Sequence, residues 1–243
     1  MDYNASMTGA SITLLHGWGM SPEVFAPLAE LLGPATAFCP GLPGYPGSPW
    51  PGDADFDAQL ECMARDLSGH LLGWSLGGLY AIGLALRWPD RFDRLTLLAC
   101  NPCFVRRPGW DCAVDAGVFD DFSTDLAQDW QRTLRRFLAL QMQGEAGARF
   151  LARRVGEQVI AAGAPDPAVL QFGLEILKNC DARKSLGRLT QPSQLVLGER
   201  DLLVPITLAR QINDVAPGIR VESVAGAAHA PFLSHPDAVA ALL

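Results

Sequence analysis

The segment Gly73-Trp74-Ser75-Leu76-Gly77-Gly78 stands between the apolar pair Leu71-Leu72 and a helical pattern over residues 79–87. A serine flanked two places away by glycines lets a strand turn sharply into a helix, because glycine tolerates the close approach and the unusual dihedrals of that turn. Such a turn needs a buried strand before it and a packed helix behind it. The rest of the chain supplies matching parts. Short apolar runs predict strands at 12–15, 36–39, 71–72, 95–99, 194–197 and 221–224, and helical patterns lie at 24–32, 56–67, 79–87 and 238–243. Strands alternating with helices predict an α/β fold, a mostly parallel sheet flanked by helices. Residues 104–187 break the rhythm with helical patterns alone, and a stretch of that length cannot be a structureless loop. The chain therefore divides into a core, 1–103 and 188–243, and a helical cap or lid, 104–187.

Composition narrows the function classes. The 243 residues are 49% hydrophobic and 19% charged, which suits one globular domain with an insertion. A net charge of −7 argues against nucleic acid or an anionic membrane as the main partner. No apolar run reaches membrane-spanning length, and residues 1–10 carry neither the basic start nor the apolar stretch of a secretory signal. Cys100 and Cys103 have CxxC spacing, compatible with redox chemistry or half of a metal site. No second ligand pair accompanies them, so reduced thiols, no metal and a reducing cytoplasmic location are expected.

A serine hydroxyl needs a base to become a nucleophile. Of the four histidines, His16 ends the first strand and His70 precedes Leu71, where a surface imidazole is expected. His235 stands at a helix start, and His229 follows the last strand. Site residues collect at the C-terminal edge of a parallel sheet, which favours His229. Asp201 and Glu199 compete to orient that base beyond the strand 194–197. Asp201 is preferred because it lies deeper in the loop, giving the order Ser75, Asp201, His229. The turn His16-Gly17-Trp18-Gly19 should lie beside Ser75. The backbone N–H groups of Trp18 and Leu76 are then candidates for an oxyanion hole.

These pieces together resemble the α/β-hydrolase superfamily: Leu14-Leu-His-Gly-Trp-Gly19, Leu72-Gly-Trp-Ser-Leu-Gly-Gly78, Gly198-Glu-Arg-Asp201 and Ala228-His-Ala-Pro-Phe232. The wording Gly-Trp-Ser-Leu-Gly-Gly, with Phe137-Leu-Ala-Leu-Gln141 and His229-Ala-Pro-Phe-Leu-Ser-His-Pro236, is narrower. It is similar to the pimeloyl-[acyl-carrier protein] methyl ester esterases, carboxylesterases of biotin synthesis. The resemblance implies an α/β-hydrolase fold, no cofactor, and hydrolysis of a pimeloyl methyl ester borne on acyl carrier protein, releasing methanol. It also implies that Trp18, Ser75, Leu76, Phe137, Leu138, Ala139, Leu140, Gln141 and His229 contact substrate. One departure is the loop from Pro40, where relatives often carry an aspartate at the position of Gly41.

The cap can be read independently. On a helical wheel Trp130, Leu134, Phe137, Leu138 and Gln141 share one face, with Arg132, Arg135 and Arg136 opposite. Gln141 is thus either a polar group roofing a wet site or a residue at a frayed helix end. Between residues 131 and 160 six arginines stand against two acids, a local positive excess in an acidic protein. A solvated helix face accounts for this, and so does an acidic macromolecular partner. The second reading singles out Arg132, Arg136, Arg149 and Arg153 as carrier-protein contacts. A monomer is expected. A general short-chain carboxylesterase or C–C bond hydrolase with the same triad is the nearest rival. A non-catalytic ligand receptor on this fold is the rival from another class.

Overall fold

A computed structural model describes residues 11–51, 55–145, 147–163 and 165–243. The N-terminal segment in which no secretory signal was expected therefore lies outside the described residues. Six strands, β1 (Ile12–Leu15), β2 (Ala37–Phe38), β3 (His70–Trp74), β4 (Arg94–Leu98), β5 (Ser193–Gly198) and β6 (Arg220–Val224), form one sheet in the order β2-β1-β3-β4-β5-β6. Every pairing is parallel. β1, β3 and β4 are buried nearly throughout because helices cover both faces, so their sequences read as continuous apolar runs rather than alternating ones.

Helices α1 (Ala26–Leu32), α2 (Phe56–Ala64) and α3 (Leu76–Arg87) belong to the N-terminal half of the core. Between β4 and β5 lie α4 (Ala116–Gln128), α5 (Trp130–Gln141), α6 (Ala148–Ala161), α7 (Pro167–Asn179) and the single turn α8 (Arg183–Leu186). Then follow α9 (Leu208–Val215), α10 (Pro231–Ser234) and α11 (Pro236–Ala240).

Several boundaries differ from expectation for local reasons. The helix expected over 24–32 opens as a 3-10 turn at Pro22–Phe25, and α1 starts only at Ala26. β2 is shortened to two residues before the Gly/Pro-rich loop. The helix expected to reach residue 67 ends at Ala64, and the final helix begins earlier, at Pro236, where proline suits the first helical turn. His70 is not on the surface. It is the first residue of β3, buried, with Nε2 at 2.9 Å from Thr96 Oγ1. Burial lowers its pKa from 6.5 to about 4.

The chain passes from β1 outward to β2 and then crosses to β3 on the other side of β1. This reversal opens a crevice outside the C-terminal ends of β1 and β3, the place where open α/β sheets bind ligands. The turn after β3 holds Ser75, and the turn after β1 holds Gly17, Trp18 and Gly19.

The helical insertion docks on this crevice through two glycines. A Cβ on Gly19 would lie 2.5 Å from Leu134 of α5, and one on Gly173 of α7 would lie 2.7 Å from the Trp18 ring. Trp18 is fully buried, donates from Nε1 to the Leu170 carbonyl at 2.7 Å, and meets Phe122 and Phe137 edge-on.

Candidate active site

Ser75 has φ 53° and ψ −117°, a left-handed conformation that a side-chain-bearing residue adopts only when its surroundings enforce it. The enforcement is visible at its neighbours. A Cβ on Gly73 would lie 2.4 Å from the Gly77 carbonyl oxygen, one on Gly77 would lie 2.2 Å from the Leu15 carbonyl oxygen, and one on Gly78 would strike Cys100 Sγ at 2.4 Å. The three glycines are thus required by contact distance, and they bring α3 hard against β1 and β3. Ser75 N–H donates to the Leu98 carbonyl at 3.0 Å, which ties the turn to β4.

His229 must reach back across two strands from the end of β6. It does so because Gly198, at the end of β5, has no side chain: a Cβ there would lie 2.0 Å from the Ala228 carbonyl oxygen. The Arg200 N–H donates to the Ala227 carbonyl at 2.8 Å, and Trp74 Nε1 donates to the His229 carbonyl at 2.8 Å. The imidazole then lies with Nε2 at 3.0 Å from Ser75 Oγ and Nδ1 at 2.7 Å from Asp201 Oδ2. All three side chains are buried. Asp201 is fixed in turn, since its Oδ1 accepts the N–H groups of Leu203 at 2.8 Å and Val204 at 2.9 Å. The carboxylate accepts from Nδ1–H, so Nε2 is left to accept the serine proton. Glu199, the competitor for this role, instead accepts the Gly226 N–H at 2.8 Å and braces the β5–β6 connection.

The N–H of Trp18 and that of Leu76 bond to no protein acceptor among the described residues. The neighbouring Gly19 N–H is already taken by Tyr45 Oη at 3.0 Å. His16 fixes this turn. Its Nδ1–H donates to the Gly17 carbonyl at 2.9 Å, and its Nε2 accepts the Leu42 N–H at 3.1 Å. Burial lowers its pKa from 6.5 to about 4, so it is a neutral brace. It also stacks edge-on against Tyr45, joining the β1 turn to the loop after β2. In that loop a Cβ on Gly41 would lie 3.0 Å from the Pro46 carbonyl oxygen and 3.2 Å from Ser48 Cβ, so a side chain there would press on the loop.

A cavity of ≈ 90 Å³ opens beside the serine and the imidazole. Apart from Ser75 and His229 its lining is wholly apolar: Phe104, Val114, Val118, Phe119, Phe122, Phe137, Leu140, Leu174, Leu177 and Leu203. Of the α5 residues expected to meet substrate, Phe137 and Leu140 line it. Leu138 turns toward Gly156 of α6, and Ala139 is exposed. Gln141 is fully buried, and neither amide atom has a partner among the described residues. A larger hollow of ≈ 580 Å³ lies along the loop after β2 and holds neither Ser75 nor His229. Only the smaller one is lined by Ser75 and His229. Among the described residues no cluster of His, Cys, Asp and Glu could hold a metal, and Cys100 and Cys103 are buried free thiols. No helix among them is long and apolar enough to cross a membrane.

Arg132, Arg136, Arg149 and Arg153 are all exposed. Arg136 pairs with Asp125 at 2.6 Å and Arg153 with Glu157 at 3.8 Å, both surface pairs. Such pairs are worth less than about 1 kcal/mol and exchange readily for another anion.

A strained serine after β3, an aspartate after β5 and a histidine after β6 define an α/β-hydrolase site. The chain belongs to the alpha/beta hydrolase family, whose model matches residues 14–242. Within it, the chain is 38% identical over 240 residues to a pimeloyl-[acyl-carrier protein] methyl ester esterase of Xanthomonas oryzae pv. oryzae, covering 97% of this chain and 94% of that one. It is 40% identical over 230 residues to the protein of the same name from Salmonella paratyphi A, covering 93% and 90%. Among solved structures it is similar in fold to an esterase from Exiguobacterium antarcticum, with TM-score 0.83, 20% identity, and coverage of 96% and 90%.

Proposed function

We propose that this protein is a serine carboxylesterase that hydrolyses the methyl ester of a pimeloyl chain carried on acyl carrier protein, in biotin synthesis. The observation that carries the chemistry is the continuous hydrogen-bonded line Ser75–His229–Asp201. The named relatives support the choice of substrate.

Ser75 Oγ attacks the ester carbonyl carbon as its proton passes to His229 Nε2. Asp201 holds the Nδ1–H and stabilises the imidazolium. The tetrahedral oxyanion accepts from the N–H groups of Trp18 and Leu76, each such donor contributing about 3–4 kcal/mol to the transition state. His229 then gives its proton to the departing methoxide, and methanol leaves. Water, activated by the same imidazole, releases the acid and restores Ser75.

The apolar cavity suits methylene groups. It also separates ester from product, because an ionised carboxylate loses its hydration there without gaining a cation. Residues 104–187 act as a cap over the site. The exposed arginines on α5 and α6 face solvent, where an acidic carrier can meet them, and electrostatic steering speeds that encounter. The protein works as a cytoplasmic monomer.

The test is methanol release from methyl pimeloyl-carrier by the purified protein, alongside p-nitrophenyl esters of increasing chain length. We expect turnover of the carrier substrate, and a fall of ~10⁴-fold or more in Ser75→Ala. Retained activity in Ser75→Ala overturns the nucleophile. Turnover of small esters alone favours a general carboxylesterase.

A further inference from the structure

Glu145 lies in the turn between α5 and α6 and takes no part in the chemistry above. It is a carboxylate only 8% exposed. Its Oε1 accepts the N–H of Ala228 at 2.5 Å and the hydroxyl of Ser234 at 2.8 Å. These donors bracket the base: Ala228 immediately precedes His229, and Ser234 closes α10 just after it. A serine has one hydroxyl proton, here given to Glu145, so His235 Nδ1–H must donate to Ser234 Oγ at 2.8 Å.

The preceding residue makes a matching contact beside the acid, on Arg200. Gly144 has φ +103°, and a Cβ there would lie 3.3 Å from Arg200 Cβ and 3.8 Å from Ala228 Cβ. Arg200 Nη1 donates to the Gly144 carbonyl at 3.4 Å. One turn of the insertion therefore touches the residue before Asp201 and the residue before His229. The same turn continues from α5, whose Phe137 and Leu140 line the apolar cavity. A side chain mispositioned by an ångström costs ~10²-fold in rate, so what holds these two residues bears directly on catalysis.

We infer that Glu145 is a positioning residue through which the helical insertion sets the geometry of the His229–Asp201 pair and couples filling of the apolar cavity to ester cleavage. The inference rests on the esterase reading. An acceptor at Oε1 is what the role requires, and the negative charge is secondary, since both bonds come from neutral donors.

The experiment compares wild type, Glu145→Ala, Glu145→Gln and Ser234→Ala on p-nitrophenyl esters of increasing chain length. We expect Glu145→Ala to lower kcat by ~10²-fold with little change in KM. The rise of kcat with chain length should flatten, and the low-field proton resonance of the His229–Asp201 hydrogen bond should weaken. Glu145→Gln, which keeps the accepting oxygen, should recover most of the loss. Ser234→Ala removes one of the two bonds and should give a smaller fall of the same kind. Wild-type kcat, chain-length dependence and resonance in a folded Glu145→Ala protein would overturn the proposal. If Glu145→Ala does not fold, an unaltered Ser234→Ala overturns it. Labelling of wild-type Ser75 by a fluorophosphonate probe keeps the outcomes apart. An unlabelled, inactive wild type sinks the esterase reading, whereas a labelled, active one with indifferent variants sinks only the strut.

Discussion

The rim of the sheet and the helical insertion meet around the same serine but are specified differently. At the rim, backbone lies on backbone: Gly73, Gly77 and Gly198 sit where a single added carbon would come within 2.4 Å of a carbonyl oxygen. Within the insertion, helices meet one another through side chains and leave slack, as at Gly156, where a Cβ would rest 3.6 Å from Leu138; of the insertion's glycines only Gly173, where α7 meets the rim at Trp18, is held nearly as close. The rim fixes Ser75, Asp201 and His229 at hydrogen-bonding distance. The insertion shapes a cavity and displays charge, both of which tolerate change. On the proposed reading, chemistry is written in the positions that admit one residue, and selectivity in those that admit many.

The same substitution made in both regions is the sharpest probe of this contrast. Gly198→Ala should cost more than about 4 kcal/mol or prevent folding, because the His229 loop has nowhere to move. Urea denaturation measures it, and a stable, active Gly198→Ala protein would break the contrast.

Acid should also divide the two regions. All four histidines lie outside residues 104–187. His16 and His70 have folded-state pKa values lowered by burial to about 4, against 6.5 when free. Between those values the unfolded chain binds the extra protons, so this contribution is whole above 6.5 and is lost as pH falls toward about 4. Each histidine accounts for about 3 kcal/mol at most. The urea midpoint should fall over that window, and hydrogen exchange should show β1 and β3 loosening. A pH-independent midpoint would remove this distinction.

Charge reversal in the insertion should be milder. Arg132→Glu with Arg149→Glu should raise KM for carrier-bound substrate by ~10-fold, about 1.4 kcal/mol, and leave small esters untouched. Equal losses on both substrates would count against a carrier-facing surface. Last, Gly156→Ala in α6 should stabilise the protein by about 0.5–1 kcal/mol, since a helix interior favours alanine and the space exists. A loss of stability there would show the insertion to be as tightly set as the rim.

Much of the rim was legible because its constraints are local. The glycines around Ser75 announce a forbidden Cβ, and apolar runs before and after give strand and helix. The choice between Asp201 and Glu199 was harder. Both follow the same strand end, and only the position of the Gly226 N–H shows which one braces the loop. His70 looked like a surface residue because a single polar residue beside two leucines does not show the Thr96 hydroxyl waiting across the ladder. The helix α9 escaped notice, as did the part played by Glu145, whose partners lie 83 and 89 residues away. In the insertion, helical periodicity correctly separated the arginines from the buried stripe. It could not say that Leu138 would turn to α6 while Phe137 and Leu140 line the cavity, because that depends on how α5 and α6 settle together.

Trp74 gives the site a consequence of its own. Its indole is fully buried, its ring centroid is 5.8 Å from that of His229, and its nitrogen holds the His229 carbonyl. A charged imidazole at that separation withdraws excited-state electrons far better than a neutral one. With the other five tryptophans replaced, the ultraviolet emission of this one indole would report the charge on the neighbouring imidazole, with no dye attached.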